Sequence, residues 1–277
     1  MLVLLAPSFD GKAESFARLA SVTGMVAYDL KSRIKSGSWG LVRALGDEAH
    51  ALELATHLRQ EGFPAFAVPS EVAHDSARRI IALRALELTD TDIVMHLRER
   101  SMPIPYAALT CVVRGEVQHG RSASRSSPTA SSSATFRAVV PSATEVQVFR
   151  ESLPSGNFDA FAAADLHFAT VLWIARLDAR STDFSAVVPP SGSAAADLDR
   201  LVDELGRRAG VRVDRAVRVS SVASFAQQGG ANSAPRSMPP QSVSPRSKEA
   251  ATDERFDPYS RIIGEAERQL IEAQAQV

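Results

Sequence analysis

The chain has 277 residues, with Lys+Arg 31 against Asp+Glu 32, 45% hydrophobic and 23% charged residues. A net charge of −1 excludes a global basic field for nucleic acid and a global acidic one for basic partners. One cysteine, Cys111, excludes an internal disulfide framework and leaves no expected disulfide-linked partner. The length suits two modest domains that need no structural metal.

The opening MLVLLA lacks a basic n-region, and Asp10 and Lys12 cut the apolar run short, so it reads as a buried strand. No window reaches the roughly eighteen apolar residues of a membrane span. A cytoplasmic protein is therefore expected.

After that strand, Phe16, Leu19 and Ala20 repeat at helical spacing over Glu14–Val22, and Gly24 supplies the stop. Ala27–Lys35 reads as a second helix with Leu30 and Ile34 inward, and Trp39–Leu45 as a strand. Asp47 caps a third helix running to Gly62, with Ala51, Leu54, Ala55 and Leu58 inside. Pro64–Val68 closes the set as a strand. The order β-α-α-β-α-β over residues 1–70 makes a small sheet covered on one face by helices.

Thr23-Gly24-Met25 leading into Tyr28-Asp29-Leu30-Lys31, then Glu48-Ala49, Leu58, Gly62 and Val68, resembles the C-terminal domain of the bacterial ribosomal stalk protein. Tyr28 replaces the first lysine of the family's helix motif and Leu30 its alanine. The resemblance covers about a quarter of the chain. It implies the stalk-like fold and a basic docking helix carrying Lys31, with Arg33 and Lys35 beside it.

Residues 77–219 turn to strand signals. Ile93–Arg98, Leu109–Arg114 and Val171–Asp178 alternate with a period of two, and Thr89-Asp90-Thr91-Asp92 is a turn into the first. Ala194–Arg208 is a helix with the stripe Leu198, Leu201, Val202 and Leu205. Strands followed by one amphipathic helix resemble a pleckstrin-homology-type barrel, with Met102–Val117 as a proline-plus-aromatic strand entry. Residues 120–135, with Arg121 and Arg125, are a Ser-rich insertion, and 226–253 a polar tail. Over 256–277 an amphipathic helix returns, carrying Ile262, Ala266 and Leu270 at i, i+4 and i+8. The fold class is α+β: the small module, an antiparallel β-rich module with a packing helix, a disordered linker and a terminal helix.

Four groups of side chains carry candidate chemistry. His50, Glu53 and His57 share a helix face and are metal-ligand types, yet the outer two lie about two turns apart. Asp165 and His167 point to one side of a strand, where a carboxylate could orient an imidazole for acid–base work, but no nucleophile motif completes the site. Cys111 lies on an apolar alternation and reads as a buried thiol. Arg207, Arg208, Arg212, Arg215 and Arg218 form the densest basic cluster, with Asp214 the one acid among them.

No cofactor signature is present. The reading is a non-catalytic protein–protein interaction or adaptor protein that binds another protein through Lys31/Arg33/Lys35, the arginine cluster and the terminal helix. An enzyme or small-ligand binder with its site between the modules, at Asp165 and His167, is one alternative. A ribosome- or RNA-associated factor using the arginine cluster is the other.

Overall fold

A computed structural model describes residues 1–120, 158–215 and 256–276. The bulk of the Ser-rich insertion, the 226–253 linker, Arg121, Arg125 and Arg218 lie outside the described residues.

The first module follows the sequence closely: β1 (Leu2–Leu5), α1 (Ala13–Thr23), α2 (Ala27–Arg33), β2 (Gly40–Ala44), α3 (Glu48–Gln60) and β3 (Ala65–Val68). The sheet order is β2-β1-β3, with β1 antiparallel to both neighbours. Gly24 ends α1 with φ 66°, and the Asp47 carboxylate accepts from Ala49 N–H to start α3. The period of two splits the strands into two apolar faces. Val3, Leu5, Val42, Ala65 and Ala67 meet Phe16, Leu19, Leu30, Ala51, Ala55 and Leu58 of the three helices. Leu2, Leu4, Leu41, Phe66 and Val68 face the other way.

α2 stops at Arg33, two residues before the expected Lys35. Ile34 takes extended angles, φ −113° and ψ 127°, and is buried. A Cβ on Gly40 would stand 2.7 Å from Ile34, so β2 packs directly on this side chain. Burying Ile34 there ends the helix and leaves Lys35 exposed beyond it.

The second half contains β4 (Ile80–Ala82), β5 (Ala85–Leu88), β6 (Asp92–His96), β7 (Ser101–Pro105), β8 (Leu109–Gly120), β9 (Phe158–Phe168), β10 (Ile174–Asp178), α4 (Ala194–Ala209) and β11 (Val213–Arg215). β5, β6 and β7 form an antiparallel sheet. The larger sheet runs β11-β8-β9-β10-β4. Its centre is antiparallel, as expected, but it is a mixed sheet: β4 pairs parallel to β10 and β11 parallel to β8. Three-residue strands reached by long crossovers give no alternation to read. The strand expected from Val171 starts at Ile174, and Leu172 is exposed.

One face of this sheet packs Val112, Ala162, Ala164, Leu166, Ala175 and Leu177 against the α4 stripe and the small sheet. Cys111, Val113, Val117, Phe161 and Ala163 occupy the other face.

The last helix, α5 (Phe256–Ala275), joins the two halves. Phe256, Tyr259, Ile262, Ile263 and Ala266 share one continuous core with Leu2, Leu4, Leu41, Phe66 and Val68 of the first sheet and Cys111, Val113 and Phe161 of the second. The terminal helix thus docks on its own chain. A helix covered from two sides is buried nearly all round, and from Phe256 to Glu267 only Arg261 is partly open.

Candidate functional site

Helix α5 meets the second sheet at close range. A Cβ on Gly115 would stand 2.3 Å from Phe256, and one on Gly264 2.2 Å from His167 Nδ1. Both glycines permit an approach that no other residue allows.

Polar groups in the seat are matched across it. Arg176 on β10 holds Asp165 on β9 in a two-pronged bond, Nε to Oδ1 at 2.7 Å and Nη2 to Oδ2 at 2.8 Å. The same guanidinium reaches Asp257 of α5 at 2.7 Å. All three side chains are buried. Burial works against the charge of Arg176, but Asp165 and then Asp257 hold its pKa above the ordinary value. Burial pushes the Asp257 carboxyl up to about 6, with Arg176 opposing.

His167 Nε2 lies 3.0 Å from Ser260 Oγ of α5. Burial pulls its imidazole down to about 4, so it is neutral at neutral pH. Asp165 and His167 do share a side of β9, as their spacing predicts, and the Asp165 charge opposes the lowering of the imidazole pKa, but their hydrogen bonds go elsewhere. The carboxylate is committed to Arg176 and the imidazole to a fully buried serine. A cavity of about 290 Å³ opens beside His167, bordered by Arg78, Thr110, Trp173, Gly264 and Arg268; Asp165 does not line it.

Further along α5, Tyr259 O–H donates to Asp214 at 2.9 Å, and Arg212 donates to Asp214 at 2.6 Å. Arg212 also reaches Glu267 at 3.1 Å, and the Trp39 indole N–H donates to Glu267 at 2.8 Å. Glu265 pairs with Arg78 at 2.5 Å and with Arg268. Burial and then the charges of Glu267 and Asp214 push the Cys111 thiol well above its ordinary pKa, which leaves it a protonated core group.

Within the described part of the arginine cluster, Arg207, Arg208, Arg212 and Arg215 are each matched to acids outside or beside it. Glu204 takes both Arg207 and Arg208 at 2.6 Å and its pKa falls to about 2 through those bonds. Arg215 pairs with Asp199 at 3.4 Å and Asp203 at 2.5 Å, one helix face away. Arg212 belongs to the α5 seat. Glu204 and Asp203 precede the run from Arg207 to Arg218, and the i, i+3 and i, i+4 spacing from Glu204 to Arg207 and Arg208 is the sequence signal for the first pairing.

His50 is exposed and pairs with Asp47 at 2.9 Å, while Glu53 and His57 face solvent. Among the described residues no three His, Cys, Asp or Glu side chains gather as a metal site.

On the opposite side of the first module, α2 presents Val26 at its N-cap, 65% exposed, and Tyr28, 78% exposed. Lys31 is exposed with its ammonium 5.8 Å from the Phe16 ring centroid, Arg33 is half-buried and Lys35 exposed. Leu30, fully buried, fixes this helix to the core.

The chain matches no protein-family model, no curated protein and no solved structure. Among the described residues no helix is long and apolar enough to cross a membrane.

Proposed function

We propose that this protein is a cytoplasmic, non-catalytic interaction module that docks another protein through α2. The observation that carries the reading is the pair Val26 and Tyr28, large apolar groups left open at the start of a helix anchored by Leu30, with Lys31 on that helix and Lys35 just past its end. A rigid aromatic anchor with a basic rim suits a partner surface of apolar centre and acidic edge. The stalk-like resemblance of residues 1–70, which implies a docking helix at this position, agrees with it. The buried thiol of Cys111 suits a reducing compartment.

Photocrosslinking from position 28 in the native cell tests the reading. A defined adduct is expected, lost in the double variant Lys31→Glu/Lys35→Glu. The same adduct pattern from position 28 as from Glu53, on the solvated face of α3, would remove α2 as a docking site. With a partner in hand, Tyr28→Ala weakens binding by about tenfold or more.

A second reading, a small-ligand binder at His167, has behind it the 290 Å³ cavity between the second sheet and α5, which no residue of 1–70 borders. Its test is a ligand-dependent shift of the His167 ring resonances.

A further inference from the structure

The second half of the chain carries a groove whose charge is not compensated from within. It has about 750 Å³ of space and lies between the segment leaving β4 and the β6–β7 turn, bordered by Arg84, Arg98, Arg100 and the Ser181 hydroxyl. Arg207 and Arg208 of α4 and Arg78, Arg176, Arg212 and Arg268 around α5 are matched to carboxylates. Among the described residues, none of the three groove guanidinium groups forms an ion pair or a side-chain hydrogen bond. Glu99 is the one carboxylate residue on the lining, which leaves two excess positive charges. The half-buried Ile81 and Leu97 add apolar wall beside the cations.

The three arms spring from fixed backbone. Arg84 N–H donates to His96 O at 2.9 Å, and Arg84 O accepts from Asp183 N–H at 2.7 Å. Leu97 N–H donates to Arg100 O at 2.9 Å and closes the turn that carries Arg98 and Arg100. Thr182 Oγ1 donates to Leu83 O at 3.1 Å, which ties the Ser181 segment to the same wall. Gathering cations on anchored strands and a closed turn limits the ordering that a ligand must impose. The space lies within the range of about 300–1,000 Å³ that small-molecule sites occupy. Guanidinium forks match the paired oxygens of a phosphoryl group and remain charged at every accessible pH.

We propose that this groove binds a phosphate monoester with an apolar body. Its dianionic phosphoryl group meets the two excess charges among Arg84, Arg98 and Arg100, and its ester group lies along Ile81 and Leu97. The proposal goes beyond the docking role of α2 and does not depend on it.

Calorimetric titration of the full chain with phenyl phosphate tests it. The expected result is one saturable site whose affinity falls as salt rises, because the contact is ionic. Arg98→Gln and Arg100→Gln each weaken it about tenfold, and inorganic phosphate binds more weakly than the ester. Both arginines stand on an exposed turn, so an unchanged urea midpoint separates lost binding from lost folding. Arg207→Gln, which touches only the Glu204 pair, leaves the affinity as it was. No saturable heat overturns the proposal. So does an affinity that both groove variants leave unchanged, or inorganic phosphate binding as tightly as the ester.

Discussion

The two faces of the β1–β3 sheet are covered in different ways. One receives α1, α2 and α3, which belong to the same seventy residues and meet it mainly through apolar side chains, with Arg59 of α3 donating to Ala65 O of β3 at 3.0 Å. The other receives α5, which lies far along the chain and brings Asp257, Ser260, Glu265 and Glu267 into a buried setting with it. Oily contact is non-directional and satisfies a local helix that has few places to go. A distant helix has many, and the matched groups Asp257–Arg176–Asp165, Ser260–His167 and Tyr259–Asp214 accept only one rotation and one register. Such pairs add little net stability over apolar packing, but removing one partner strands the other.

Stranding gives the largest effect expected. Arg176→Met leaves Asp165 and Asp257 buried without their cation and costs about 3–5 kcal/mol, read as a fall in urea midpoint. A loss below about 1 kcal/mol would mean the seat tolerates unpaired carboxylates and that its polar groups do not set the register.

Acid exposes the same contrast. The His167 pKa is lowered in the fold to about 4 from the ordinary 6.5, so between these values the unfolded chain takes up a proton and the folded one does not. Stability from this group is complete above pH 6.5 and is lost as the pH falls to 4. Asp257 acts in the opposite sense: raised to about 6 from 3.8, it binds a proton in the fold first, so acidification through that window favours the folded chain. The two offset each other between pH 6 and 4. In Asp257→Asn that opposing contribution is gone, and the His167 contribution of about 3 kcal/mol between pH 6.5 and 4 steepens the acid loss relative to the parent chain. In His167→Gln the slope reverses. Urea midpoints at pH 7 and pH 4.5 for the three chains check the sign.

Smaller effects separate close packing from local capping. Gly264→Ala drives a methyl into the His167 ring, with an expected cost of about 1–3 kcal/mol. Asp47→Ala, on the locally covered face, removes the α3 cap and costs about 1 kcal/mol. Equal losses would mean the approach at Gly264 has slack.

This contrast also explains what could be read from the chain. The helices over the first face, the Gly24 stop, the Asp47 cap and the α4 stripe follow from spacing and caps, because each is decided within a dozen residues. Ile262, Ala266 and Leu270 disclosed one face of α5. Its other face could not be read, because Asp257, Ser260 and Glu267 are residue types that ordinarily signal solvent. Asp165 and His167 mislead in the same manner: their shared side was legible, but not that a helix from the far end of the chain covers it. Arg98 and Arg100 share the β6–β7 turn, but Arg84 joins them only once β5 pairs with β6, and nothing in the spacing of the three marks that pairing as a basic groove.

The core that α5 completes has a consequence for the nascent chain. Leu2, Leu4, Leu41, Phe66 and Val68 are all synthesised by the time Val68 is added, and Phe256 follows 188 positions later. At roughly 5–20 residues per second, that interval lasts about ten to forty seconds. For that time the oily underside of the first sheet waits on the ribosome without its helix.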